Sequence, residues 1–138
     1  MLTEAHVANS PGNHSVVLST DGRRQSITIP TKATGSGSSV NGGELLALAV
    51  ATCYCNDLYR EAAALGIHLH SVEVEAQAIF GGPGEPASQI KYSARVESDA
   101  SESDIRHLLE VTDQVAEVHN TLRAGVSVAL EVHPSGSR

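Results

Sequence analysis

The chain has 138 residues, which fits one domain, 1–138, and it carries three Tyr, one Phe and no Trp. A core so poor in aromatics has to be built from Val, Leu, Ile and Ala, and a second chain would help to complete it. A net charge of −7 without any basic run argues against nucleic acid and anionic membrane as partners, since both need clustered Lys or Arg.

The first residues, MLTEAHVANSPG, lack the basic and apolar regions of a signal peptide. The longest apolar stretch, Leu45 to Cys55, is about half of the roughly 20 residues a membrane helix needs. Two cysteines two positions apart are no disulfide framework, so a reducing cytoplasm is the expected compartment. His14 to Ser19 and Gln25 to Ile29 alternate as strands, and Asp21-Gly22 between them is a hairpin signal. Lys32 to Gly43, KATGSGSSVNGG, holds small polar residues that build no core and reads as an exposed loop.

Glu44 to Leu65 has good helix formers, no Pro, and an internal stretch that is apolar all round, the mark of a buried helix. Gly66 stands where such a helix takes a left-handed cap. Glu44 sits at the positive end of the helix dipole. His68 to Phe80 reads as a strand whose register shifts near Ser71, consistent with a bulge. GGPGEP, residues 81–86, is a turn, and Gln89 to Val96 is a further strand. Ser101 with Asp104 resembles a capping box. Ile105, Leu108, Leu109, Val111 and Thr112 have helical spacing, and that helix is expected to run to about Val118. HNTLRAG would form a short final turn, and Val126 to Val132 a last strand. The class is α+β, in the order ββ-α-ββ-α-β.

The stretch GGELLALAVATCYCNDLYREAAALG, residues 42–66, carries a small-small-Cys-aromatic sequence, Ala51-Thr52-Cys53-Tyr54, inside a long apolar helix. It resembles the central helix of the OsmC/Ohr family, the osmotically inducible and organic hydroperoxide resistance proteins. The agreement in element order extends over about 120 residues. The resemblance implies an OsmC-like fold, an intertwined homodimer with the two central helices buried between sheets, and active sites at the dimer interface. It also implies reduction of organic hydroperoxides in oxidative-stress defence. In that chemistry one thiolate attacks the peroxide and becomes a sulfenic acid, and a second thiol condenses with it to a disulfide that a dithiol reduces.

Cys53 falls on the first thiol position. Ala116 stands where the second should be, in Ala116-Glu117-Val118-His119, so the reductant is expected to be an external thiol or dithiol. Gly43 occupies the place of the family's helix-start carboxylate, one residue before Glu44. Glu44 lies about 180° from Cys53 on an ideal helix, and would join a site only through a bend or across a dimer. Otherwise it is a helix-dipole partner. Arg23 and Arg24 lie in the hairpin region where the family carries its activating Arg, or are a solvated turn. Cys53, Glu44, Arg23 and Arg24 are thus the candidate catalytic residues.

Asp57 and Arg60 share the Cys53 face. Arg60 would stabilise a thiolate and Asp57 oppose one, unless the two simply pair with each other. Cys55, about 200° around the helix from Cys53, cannot close a disulfide with it and is read as a core or interface residue. His119 is read as an exposed residue, with a base as the sharper alternative. No cofactor or metal is expected. His68 and His70 share a strand face without a third ligand at a recognisable spacing, and the glycine-rich loop lacks the Gly-Lys-Ser/Thr of a nucleotide loop. The alternative to an enzyme is a non-catalytic dimer that binds a small apolar ligand in its interfacial cavity.

Overall fold

The computed structural model describes residues 1–132. The chain divides into two compact units, Met1–Leu46 and Ala47 onward.

In the first unit, β1 (Thr3–Ser10), β2 (Asn13–Thr20) and β3 (Arg23–Ile27) form an antiparallel sheet in that order. The expected hairpin is present. Asp21 and Gly22 both have positive φ, 48° and 83°, as a two-residue turn matched to strand twist requires. Asp21 also ties down the chain start, because the Leu2 backbone N–H donates to its carboxylate at 2.8 Å. Strand β1 was not expected. Thr3–Ser10 has no clear apolar alternation, and all its residues are exposed. It is a strand through its backbone ladder with β2, closed by a turn at Pro11 and Gly12. The loop before the helix holds one isolated bridge, Thr31 to Ser38.

The helix α1 (Gly42–Ala64) runs from the first unit into the second. Asn41 and Glu44 start it with a reciprocal cap. Asn41 Oδ1 accepts from the Glu44 N–H at 2.8 Å, and a Glu44 carboxylate oxygen accepts from the Asn41 N–H at 3.0 Å. Gly66, at φ 71°, ends it as expected, with the Ile67 N–H donating back to the Ala62 carbonyl at 2.8 Å. The helix is not buried all round within the chain, contrary to its composition. Val50, Tyr54, Asp57, Leu58 and Ala62 are buried, while Leu48 and Tyr59 are 57% and 46% exposed.

In the second unit β4 (Leu69–Phe80) pairs with β5 (Ala87–Ser98), with the anticipated register shift between Leu69 and Ser71. Alternate residues of both strands turn toward the core formed by Tyr54, Leu58, Ala62, Leu69, Leu108 and Ala116. The helix α2 (Glu102–Val115) starts at Ser101, whose hydroxyl accepts from the Asp104 N–H at 3.1 Å. It stops at Ala116, not at Val118. Ala116 is extended (φ −70°, ψ 112°), and α3 (Glu117–Ala124) starts directly after it and ends on left-handed Gly125. The segment 126–132 is not a strand in this chain. A strand needs a ladder partner, and Val126, Val128, Leu130 and Val132 stand 56–96% exposed. The α+β class holds, with β1 and α3 added and the last strand unformed. No helix among the described residues is long and apolar enough to cross a membrane.

Candidate functional site

Cys53, Asp57 and Arg60 follow one another at i, i+4 and i+7 along α1 and so share one face. The break at Ala116 brings Glu117, the first residue of α3, to the same place. The Cys53 sulfur lies 3.6 Å from Oδ2 of Asp57 and 3.9 Å from Oε1 of Glu117. The thiol's single proton therefore has a carboxylate acceptor on either side. Arg60 Nη1 lies 3.1 Å from Oδ1 of Asp57 and 3.3 Å from Oε2 of Glu117. The pairing of Asp57 with Arg60, one of two alternatives left open by the sequence, is thus present.

The electrostatics are divided. Burial pushes the Cys53 thiol above its usual value, and the two carboxylates push it the same way, while a hydrogen bond from the Val118 backbone N–H works against them. That N–H belongs to the first turn of α3, whose positive end favours a thiolate; the opposing causes win. Burial and the neighbouring Glu117 raise the Asp57 carboxyl, and Arg60 resists. Glu117 is held low by its own backbone N–H, then by Asp57 and Arg60. Cys53 in the free chain is therefore a protonated thiol at neutral pH. Cys53, Asp57 and Glu117 also offer three donor atoms within 4.8 Å of one another, the set among the described residues best placed for a cation. Arg60 already supplies a positive charge there, holding one oxygen of each carboxylate.

Glu117 carried no signal of its own in the sequence. What pointed to its neighbourhood was Ala116, beside it, at the expected thiol position. Ala116 is wholly buried in the core. Both cysteines are free and partly exposed. Glu44 serves the N-terminal cap of α1. Arg23 and Arg24 lie exposed on β3, opposite Thr20 and Ser19. They border a shallow hollow of the first sheet with Thr3, Glu4 and Gln25.

The structure buries His119, against the expectation of an exposed residue. It is 4% exposed, and neither ring nitrogen has a hydrogen-bond partner. The short turn expected at HNTLRAG is a helix whose inner face carries it against Tyr92 and Tyr54, at ring-centroid distances of 4.5 and 5.7 Å. It borders a cavity of about 90 Å³ with Val50, Ile90, Leu122 and Arg123. Tyr92 donates to Asp113, which also pairs with Arg123 at 2.7 Å. His68 and His70 stack edge to face at 5.0 Å, and His70 reaches Asp99 at 3.3 Å.

The sequence matches the profile of the OsmC-like protein family over residues 35–131, more than half of the chain. The chain belongs to the OsmC-like family. No curated protein matches it. Among solved structures, an OsmC-like protein from Mycoplasma pneumoniae is similar, with 17% identity, 87% of each chain covered and a TM-score of 0.63. So is an organic hydroperoxide resistance protein from Elizabethkingia anophelis with thiocyanate bound, at 17% identity, 89% of each chain and a TM-score of 0.60. An organic hydroperoxide resistance protein OsmC from Legionella pneumophila has 18% identity over 88% of each chain and a TM-score of 0.55. At these identities the likeness of this OsmC-like chain to solved structures is one of fold.

Proposed function

We propose that this OsmC-like protein reduces organic hydroperoxides in peroxide defence, with Cys53 as the nucleophile and an external thiol as the reductant. The observation that carries the reading is the Cys53 sulfur itself, seated on the helix segment that matches the family and held between two carboxylates and the start of α3. The similar structures from Elizabethkingia anophelis and Legionella pneumophila, both of organic hydroperoxide resistance proteins, support it. In the first half-reaction the sulfur takes the terminal peroxide oxygen, giving Cys53 sulfenic acid and an alcohol. In the second, an external thiol condenses with the sulfenic acid, releasing water, and a second external thiol frees Cys53. Ala116 leaves no thiol of the chain at the resolving position, so the reductant comes from outside.

The working unit in this reading is a homodimer. The uncovered apolar residues of α1 and the unpaired segment 126–132 support that assembly, since both expose surface that a second chain would cover. The decisive experiment treats the protein with cumene hydroperoxide and identifies the product by mass spectrometry. Cys53 sulfenic acid, reversed by added thiol and lost in Cys53→Ser, is the expected result. A Cys53–Cys55 disulfide, or an unmodified Cys53, contradicts it. The upward-shifted thiol favours one other reading, a non-catalytic dimer that binds a small apolar ligand. An unreactive Cys53 would promote it.

A further inference from the structure

We propose that the Asp57 carboxylate accepts the proton of the Cys53 thiol as the sulfur attacks the hydroperoxide and returns that proton to the departing alcohol, with Arg60 as its positioning residue. This rests on the reading of Cys53 as nucleophile and adds the proton path to it. The geometry behind it is a closed ring of four groups. Arg60 Nη1 takes Oδ1 of Asp57 and Oε2 of Glu117, at 3.1 and 3.3 Å. The remaining oxygen of each, Oδ2 of Asp57 and Oε1 of Glu117, faces the sulfur at 3.6 and 3.9 Å. Each carboxylate thus gives one oxygen to the guanidinium and turns the other toward the thiol.

Asp57 is the better acceptor of the two. It is nearer the sulfur, and its side chain is 8% exposed against 60% for Glu117. A carboxylate shielded from water holds a proton more readily. A thiol enclosed in this way does not stand ready as a thiolate, so its proton has to leave as the new bond forms. The sulfur lone pair attacks the terminal oxygen of R–O–O–H while the S–H proton passes to Oδ2 of Asp57. The O–O bond breaks and its electron pair stays on the RO fragment, which takes the proton back from Oδ2 and leaves as ROH. Sulfur loses two electrons, the peroxide gains the same two, and Asp57 ends as it began.

The test measures the rate of Cys53 oxidation by cumene hydroperoxide between about pH 5 and 9, a range spanning carboxylate and thiol titrations, with dimedone trapping and mass spectrometry. Wild type, Asp57→Asn and Arg60→Gln are compared, each also alkylated with iodoacetamide, whose iodide leaves without a proton. Asp57→Asn should slow oxidation about a hundredfold near neutral pH, within the usual range for acid–base catalysis. Its alkylation should become faster, because one opposing charge is gone. Arg60→Gln should move the acid limb of the oxidation profile to higher pH, since the carboxylate loses the cation that holds it ionised. Arg60 is half exposed, so this variant carries the test alone if Asp57→Asn fails to fold. Oxidation of Asp57→Asn as fast as wild type overturns the proposal, as does an unmoved acid limb in Arg60→Gln. A wild-type Cys53 that alkylates but never oxidises overturns the hydroperoxide reading itself, a distinct result.

Discussion

At Cys53 burial, joined by two carboxylates, prevails over the backbone N–H of Val118. Its thiolate fraction at pH 7 is thus smaller than that of an ordinary thiol titrating near about 8.5. Alkylation of Cys53 in a Cys55→Ser background should rise with pH and level off only above that range. Glu117→Gln removes one negative neighbour, so its profile should move to lower pH; mass-spectrometric rates across pH decide this. His119 shows the reverse kind of titration. Burial, aided by Arg123 and opposed by Asp113, lowers its pKa from 6.5. Below about pH 6.5 an unfolded chain therefore binds a proton that the folded one refuses. Stability should fall as pH drops from there toward the lower folded value, and His119→Phe should flatten that part of the curve in urea denaturation at successive pH values. Sequence alone suggests an exposed His119 in a short final turn. Only the helical continuation after Ala116 turns it inward.

At the scale of elements, α2 and the later part of α1 carry the packing of the second unit. Leu58 and Leu108 are fully buried, and Tyr54 fastens α1 to α2 through its hydroxyl, which donates to the Leu109 carbonyl at 2.6 Å. Leu58→Ala should lower unfolding free energy by about 2–5 kcal/mol, the usual cost of emptying such a site. Ser101→Ala should cost about 1 kcal/mol through the lost cap. Urea titration with a far-ultraviolet signal measures both, and equal losses would contradict the burial difference. Signals that act locally were legible in these elements. Asp21-Gly22 placed the hairpin, Gly66 the end of α1, Ser101 the start of α2, and the alternation around Ser71 the irregular register of β4. Strand β1 was not legible, because its evidence is a ladder with β2 rather than its own side chains.

At the scale of the molecule, the chain leaves many large apolar residues uncovered. Val128 and Leu130 are 96% and 87% exposed, and Leu48 is 57% exposed. On a monomer's surface a charge at such positions changes stability by only a few tenths of a kcal/mol. In the proposed homodimer it would be buried without a partner and break the assembly. Wild type should therefore scatter light as twice 14.4 kDa, and Leu48→Asp or Val128→Asp should shift it toward the single-chain mass. A wild-type protein of single-chain mass at micromolar concentration would remove the dimer.

The sequence alone was enough for the α+β class, the OsmC-like family, the central helix with its ends, and the place of Cys53 within that helix. Each of these follows from residues close together in the chain: a periodicity, a cap, a turn pair, a short motif. Tertiary structure alone decided what surrounds that thiol. Glu117 is 64 residues from Cys53, and it reaches the sulfur because α2 ends at a core-buried Ala116 and the chain restarts as α3. No local pattern encodes that approach. It arises from packing Ala116 and Leu108 against α1, which turns the start of α3 and its carboxylate toward Cys53.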